Sequence, residues 1–230
     1  MSEILSSTLF FGVTVSLLTY WAGMLLKKRF RSPVFNPLLI SVILTIIILL
    51  VLDIEYTTYN DSAKYLSYLL TPSTVCLAIP LYQQLTILKK NWKAILFGIA
   101  AGTLASLGSI LLLSVAFGLT HEQYVTLLPK SVTTAIALGI SGELGGMVAI
   151  TSACVVITGI LGNAIAESVL KLARIDDPVA KGLACGTSAH AIGTAKAMEL
   201  GELEGAMSSL SIAVAGVMTV LAATFFAGLY

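Results

Sequence analysis

Ala94–Thr120 reads AILFGIAAGTLASLGSILLLSVAFGLT, with no Asp, Glu, Lys or Arg along it. A helix needs about 20 consecutive apolar residues to cross about 30 Å of hydrocarbon, and this run exceeds that length. Ile4–Leu26, Ser32–Leu52, Tyr65–Leu88, Leu144–Ala166 and Gly205–Tyr230 are equally uncharged and reach it too. Over all 230 residues the hydrophobic share is 57%, the charged share 11% and the mean hydropathy +0.95. Soluble domains carry about 25% charged residues, so too few remain here to coat a 24.2 kDa globule. In a bilayer each run must satisfy its own backbone hydrogen bonds. The composition therefore predicts an all-α integral membrane protein, one polytopic domain over residues 1–230 with the lipid bilayer as its solvent.

The same arithmetic excludes other classes. A net charge of +1 gives no basic field for nucleic acid. Cys76, Cys154 and Cys185 sit inside apolar runs without a CxxC pair, which argues against a disulfide framework or a metal site. No nucleotide loop, HExxH motif, nucleophile elbow or paired membrane carboxylates occurs, so the chain reads as no enzyme and needs no cofactor. The first run is led by Glu3 with no Lys or Arg before it, and its apolar stretch is too long for a cleaved signal peptide.

Charge also predicts orientation. Ten of the 13 Lys and Arg fall in three clusters: Lys27, Lys28, Arg29 and Arg31; Lys89, Lys90 and Lys93; Lys171, Arg174 and Lys181. Placing all three in the cytoplasm follows the positive-inside rule and leaves the acid-rich Asp53–Asp61 and Glu199–Glu204 outside. Two shorter uncharged runs remain, Ser131–Gly142 and a Gly182 run that becomes a span, Gly182–Leu200, if Lys196 lies near its end. The orientation then requires Ser131–Gly142 to dip in and return. The expected topology is about seven transmembrane helices plus this re-entrant segment, with the N-terminus outside and the C-terminus cytoplasmic; eight crossings is the alternative. Ala63-Lys64-x-Leu66 before Thr71-Pro72-Ser73 matches Ala180-Lys181-x-Leu183 before Thr187-Ser188-Ala189. The match points to an inverted repeat, 1–118 and 119–230, with two broken helices of the kind that build midplane sites in secondary transporters.

Three polar segments are the candidate site. In Leu70–Pro80, Pro72 and Pro80 each remove a helix hydrogen bond. Thr71, Ser73 or Thr74 can then cap a half-helix whose N–H groups favour an anion; a proline kink with self-satisfied hydroxyls is the plainer reading. In Cys185–Lys196, Thr187 and Ser188 offer the same caps, and His190 falls at mid-span. An ionisable group at that depth normally faces a cavity or partner, and histidine titrates near neutral pH, so it is the candidate for proton coupling. A neutral histidine bonded to a backbone carbonyl competes with that role. Lys196 is either a substrate counter-ion or an i,i+3 partner of Glu199. In the third segment Lys130, Ser131, Thr133 and Thr134 form a hydroxyl-rich, glycine-rich gate or an interfacial helix. Asn36 and Asn163 read as helix-packing glue.

Four stretches carry a resemblance: Asn36-Pro37-Leu38-Leu39, Leu70–Tyr82 (LTPSTVCLAIPLY), Leu128–Thr134 (LPKSVTT) and Gly186–Thr194 (GTSAHAIGT). They resemble the LrgB/CidB/YohK family of bacterial inner-membrane proteins, and the likeness spans essentially the whole chain. It implies a small holin-like membrane partner of the LrgA/CidA/YohJ type and an antiholin-like role modulating murein hydrolase activity and lysis. A similar plastid protein that fuses both parts carries glycolate and glycerate, and bacterial members have been linked to pyruvate uptake.

Residues and resemblance together predict a secondary transporter of small monocarboxylates (glycolate, glycerate, pyruvate or lactate type), proton-coupled and multi-pass in the bacterial inner membrane. The rival is an antiholin-like regulatory subunit that moves no solute. A homodimer is expected through the flat Ala94–Gly118 helix with Gly98, Gly102 and Gly108.

Overall fold

A computed structural model describes residues 10–30, 35–76 and 78–230; among them every regular element is a helix. The chain forms two compact units, Met1–Cys76 and Leu77–Tyr230. The start of the Ile4–Leu26 run, up to residue 9, lies outside the described residues.

In the first unit α1 (Phe11–Phe30) packs antiparallel to α2 (Pro37–Val51). Thr19 Oγ1 lies 3.0 Å from Ser41 Oγ and 3.1 Å from Thr45 Oγ1, so buried hydroxyls satisfy each other across the pair. Gly23 allows the approach, since a Cβ there would meet Pro37 O at 2.6 Å. Asn36 is the N-cap of α2, its Oδ1 accepting from Leu38 N at 2.9 Å with Pro37 opening the helix. α3 (Tyr56–Ser67) is tied to α1 by Gly12 N donating to Ser62 Oγ at 2.7 Å. The expected single helix over Tyr65–Leu88 is broken: α3 ends at Ser67, α4 covers Leu70–Cys76, α5 covers Ala78–Gln83 and α6 begins at Leu85.

Among the described residues the second unit has three helices long and apolar enough to cross a membrane: α6 (Leu85–Phe117), α9 (Val148–Leu172) and α11 (Glu202–Ala227). Large apolar side chains such as Leu112, Ile157 and Leu221 stay exposed along them, the surface expected where lipid is the solvent. α6 bends at Asn91, whose side chain donates to Ile87 O.

Between these spans lie two hairpins that enter from opposite ends. The first comprises α7 (His121–Leu127), a tip at 128–133 and α8 (Thr134–Glu143). Its arms are side by side, because the Thr151 hydroxyl reaches both Thr126 O (2.9 Å) and Ser141 Oγ (2.7 Å). Tyr124 and Ile140 share a cluster with Ala223 and Ala227 at the far end of α11. Ser131–Gly142, expected as a re-entrant dip, forms most of the tip and the return arm of this hairpin.

The second hairpin is α10 (Pro178–Leu200), and here the expectation of a crossing is corrected. Ala189 (φ −137°, ψ 20°) and His190 (φ 42°, ψ −136°) leave the helical region, and the chain turns back on itself. A Cβ on Gly193 would lie 2.5 Å from Cys185 O, although eight residues of straight helix would separate them by about 12 Å. Gly182 abuts Glu204 O and Gly186 abuts Ser208 O, so the first arm runs parallel to α11. Thr194 Oγ1 meets Ser208 Oγ at 2.7 Å and Gly205 faces Met198, so the second arm runs antiparallel to it. Lys196 Nζ reaches Glu167 on α9 at 3.1 Å, and Glu167 also pairs with Lys171 at 2.8 Å. Lys171 and Lys196 thus share one end of the unit.

This reversal alters the topology. Lys171 and Arg174 cannot lie across the membrane from Glu199 and Glu202, as a spanning Gly182–Leu200 required. Tyr230, bonded through its hydroxyl to Ser114 O and Leu119 O, sits at the opposite end from Lys171. If the basic cluster is inside, the C-terminus is outside, contrary to the charge-based assignment.

Candidate functional site

The two tips meet halfway along the unit. α6 passes both: Gly98 and Gly102 press against Leu183 and Thr187 of the second hairpin, and Ser106 Oγ lies 2.8 Å from Ser131 Oγ of the first. A Cβ on Gly102 would stand 2.8 Å from Thr187 Oγ1, so bare backbone is needed there. These contacts use two of the three glycines assigned above to a homodimer face; Gly108 alone has nothing within 4 Å of its Cβ position.

Where the tips and α6 converge there is a cleft of about 540 Å³. Its polar lining is Ser106 and Ser109 from α6, Lys130 and Ser131 from the first hairpin, and Thr187 and Ser188 from the second. Lys130 is half-buried, its Nζ donating to Ser131 Oγ at 3.2 Å, and it makes no ion pair among the described residues. A cation in apolar surroundings without a carboxylate partner is costly, and an anion entering the cleft would offset that cost.

Four of the candidate residues therefore come together: Lys130, Ser131, Thr187 and Ser188. The last two do not cap a following half-helix. Thr187 Oγ1 donates to Leu183 O (2.8 Å) and Ser188 Oγ to Ala184 O (2.6 Å), one turn back on their own arm. Thr133, the last residue of the tip, is the N-cap of α8 without a side-chain cap bond; it and Thr134 are half-buried and not among the cleft lining. Lys196 lies at the end of the unit, held by Glu167 and Glu199 at 3.1 Å each. Ser73 is exposed on α4 in the other unit, and the side chains of Thr71 and Thr74 lie outside the described residues.

His190 forms the second tip but is buried and absent from the cleft lining. Its Nε2–H donates to Val155 O at 3.0 Å, the carbonyl accepting. Gly159 makes room for the ring, since a Cβ there would lie 2.8 Å from His190 Cε1. The carbonyls freed by the reversal find donors: Thr194 Oγ1 for His190 O (3.0 Å) and Asn163 Nδ2 for Ile192 O (2.9 Å). A non-glycine residue at φ 42° is a strained position held by its surroundings.

Sequence reasoning missed Ser106 and Ser109. Their signal was the spacing Gly98, Gly102, Ser106, Ser109, which puts small and hydroxylated residues on one face of a helix at period 3.6.

The LrgB-like family model matches residues 16–229. Antiholin-like protein LrgB of Bacillus mycoides (strain KBAB4) is 40% identical over 220 residues, covering 95% of this chain and 96% of the relative. The proteins of the same name from Bacillus cereus (strain B4264) and Bacillus anthracis (strain CDC 684 / NRRL 3495) match with the same identity and coverage. No solved structure matches. With the family model and these relatives aligned over nearly its full length, the chain belongs to the LrgB-like family.

Proposed function

We propose that this multi-pass membrane protein moves small monocarboxylates across the bilayer, holding them in the cleft where the two hairpin tips meet. The observation that carries the reading is Lys130: a half-buried cation with no ion pair among the described residues, facing a cleft otherwise lined by hydroxyls, small residues and Leu183. A single carboxylate balances the one charge, and Ser106, Ser109, Ser131 and Ser188 are placed for an adjacent hydroxyl or keto oxygen. Opposed hairpins supply what alternating access needs, a site approached by one broken element from each face. His190 serves this reading as a positioning residue that fixes the second tip against Val155; a coupled proton would have to reach its other ring nitrogen.

A second reading is favoured by the relatives' names: an antiholin-like membrane subunit that modulates murein hydrolase activity and lysis without moving solute. Both readings include a small holin-like partner of the LrgA type in a bacterial inner membrane. Uptake of labelled glycolate, pyruvate and lactate into proteoliposomes, with and without that partner, separates them. Uptake that is saturable and lost in Lys130→Met supports transport; no uptake in either preparation leaves the regulatory reading.

A further inference from the structure

Adjoining the cleft is a small cavity of about 10 Å³, lined by Thr103, Ser106, Ser131, Thr187, Ala215 and Thr219 with apolar neighbours. Ser106, Ser131 and Thr187 also line the cleft, so the two spaces share a layer of hydroxyls. Within that layer Ser106 and Ser131 bond each other and Thr187 bonds Leu183 O. Thr103 is different. Its hydroxyl is buried, the residue being only 4% exposed, and has no partner among the described residues. A helical threonine can return its hydroxyl to the carbonyl one turn back; Thr103 does not, and an unmade bond there is expensive.

We propose that this cavity is a hydration site for one water molecule, bound by Thr103, Thr219 and the remaining lone pairs of Ser106 and Ser131. Its volume matches a single water, and the lining offers the two to four polar partners that a buried water requires. A metal cation fits the chemistry less well. No carboxylate lines the cavity, and the Lys130 ammonium, 3.2 Å from Ser131 Oγ, would repel a second positive charge. The water ties α6 and α11 to the first tip and orients the Ser106–Ser131 pair, leaving Ser131 Oγ free to accept from Lys130. Only this last consequence rests on the carboxylate reading; the site itself does not.

The test is the thermal midpoint of the purified full chain in detergent, with Thr103→Val, which keeps the side chain's size and removes its hydroxyl. If the water is bound, the variant loses one hydrogen bond and Tm falls by about 2–4 °C. If the cavity is dry, removing an unpaired hydroxyl raises Tm, which overturns the proposal. A wild-type Tm that rises with sodium or potassium but not choline chloride, an effect abolished by Thr103→Val, would replace water by a cation. Should Thr103→Val give no folded protein, Thr219→Val is read the same way. A density map near 2 Å resolution without a peak between Thr103 and Thr219 also overturns it. None of these readouts depends on transport, so failure of the uptake experiment leaves them interpretable.

Discussion

Lys130→Met removes the charge at the cleft while keeping an unbranched side chain of similar reach. A carboxylate about 4 Å from the ammonium gains about 4 kcal/mol at an effective dielectric of about 20. Desolvation reduces that gross figure, and a hydrogen bond to a charged group nets about 1.5–3 kcal/mol. The expected result is a dissociation constant for glycolate or pyruvate raised by about 10- to 150-fold. Stability should move the other way or not at all. The ammonium's bond within the protein is to Ser131 Oγ at 3.2 Å, and Ser131 keeps Ser106 when it is lost. Removing a half-buried cation that has no ion pair among the described residues relieves desolvation. Scintillation proximity with labelled acid on purified protein measures the first effect and thermal denaturation the second. Binding within about threefold of wild type, against the 10-fold minimum above, would refute Lys130 as the anion's partner. A marked fall in Tm with binding intact would assign Lys130 to structure instead.

The reversal of α10 makes two further predictions. In a background lacking Cys76, Cys154 and Cys185, cysteines at positions 174 and 199 should react with an impermeant reagent from the same side of the membrane, and one at 229 only from the other; 174 and 199 on opposite sides would restore a spanning Gly182–Leu200. At the tip, His190→Gly should be more stable than His190→Ala by about 1 kcal/mol, or about 2–4 °C in Tm, because φ 42° suits glycine. That order reverses the usual helix preference for alanine, so an alanine variant as stable as the glycine one would remove the strained turn.

The three spans of the second unit were legible because crossing a bilayer is a property of each segment alone. The uncharged runs containing Ala94–Thr120, Leu144–Ala166 and Gly205–Tyr230 became α6, α9 and α11, because burial in lipid depends on the apolar count and not on a neighbour. That Ser131–Gly142 forms no long helix was legible for the same reason: the run is too short to cross. Hydroxyls flanking Lys130 and around Thr187 marked polar segments inside an apolar chain, and the cleft is built from both.

What tertiary structure alone decided is direction. Gly182–Leu200 has the length and composition of a span, yet two residues, Ala189 and His190, turn it into a hairpin. Local preference does not put histidine at φ 42°; the packing of Gly159 under its ring and the bond to Val155 O hold it there. That turn brings Lys196 back to Glu167 and removes it from the candidate site. The meeting of Lys130 with Thr187, more than fifty residues apart, depends on Gly98 and Gly102 allowing α6 to touch the second hairpin while Ser106 touches the first. Sequence fixes which segments leave water; the close contacts among glycines, hydroxyls and a histidine ring fix which way they run and what they enclose.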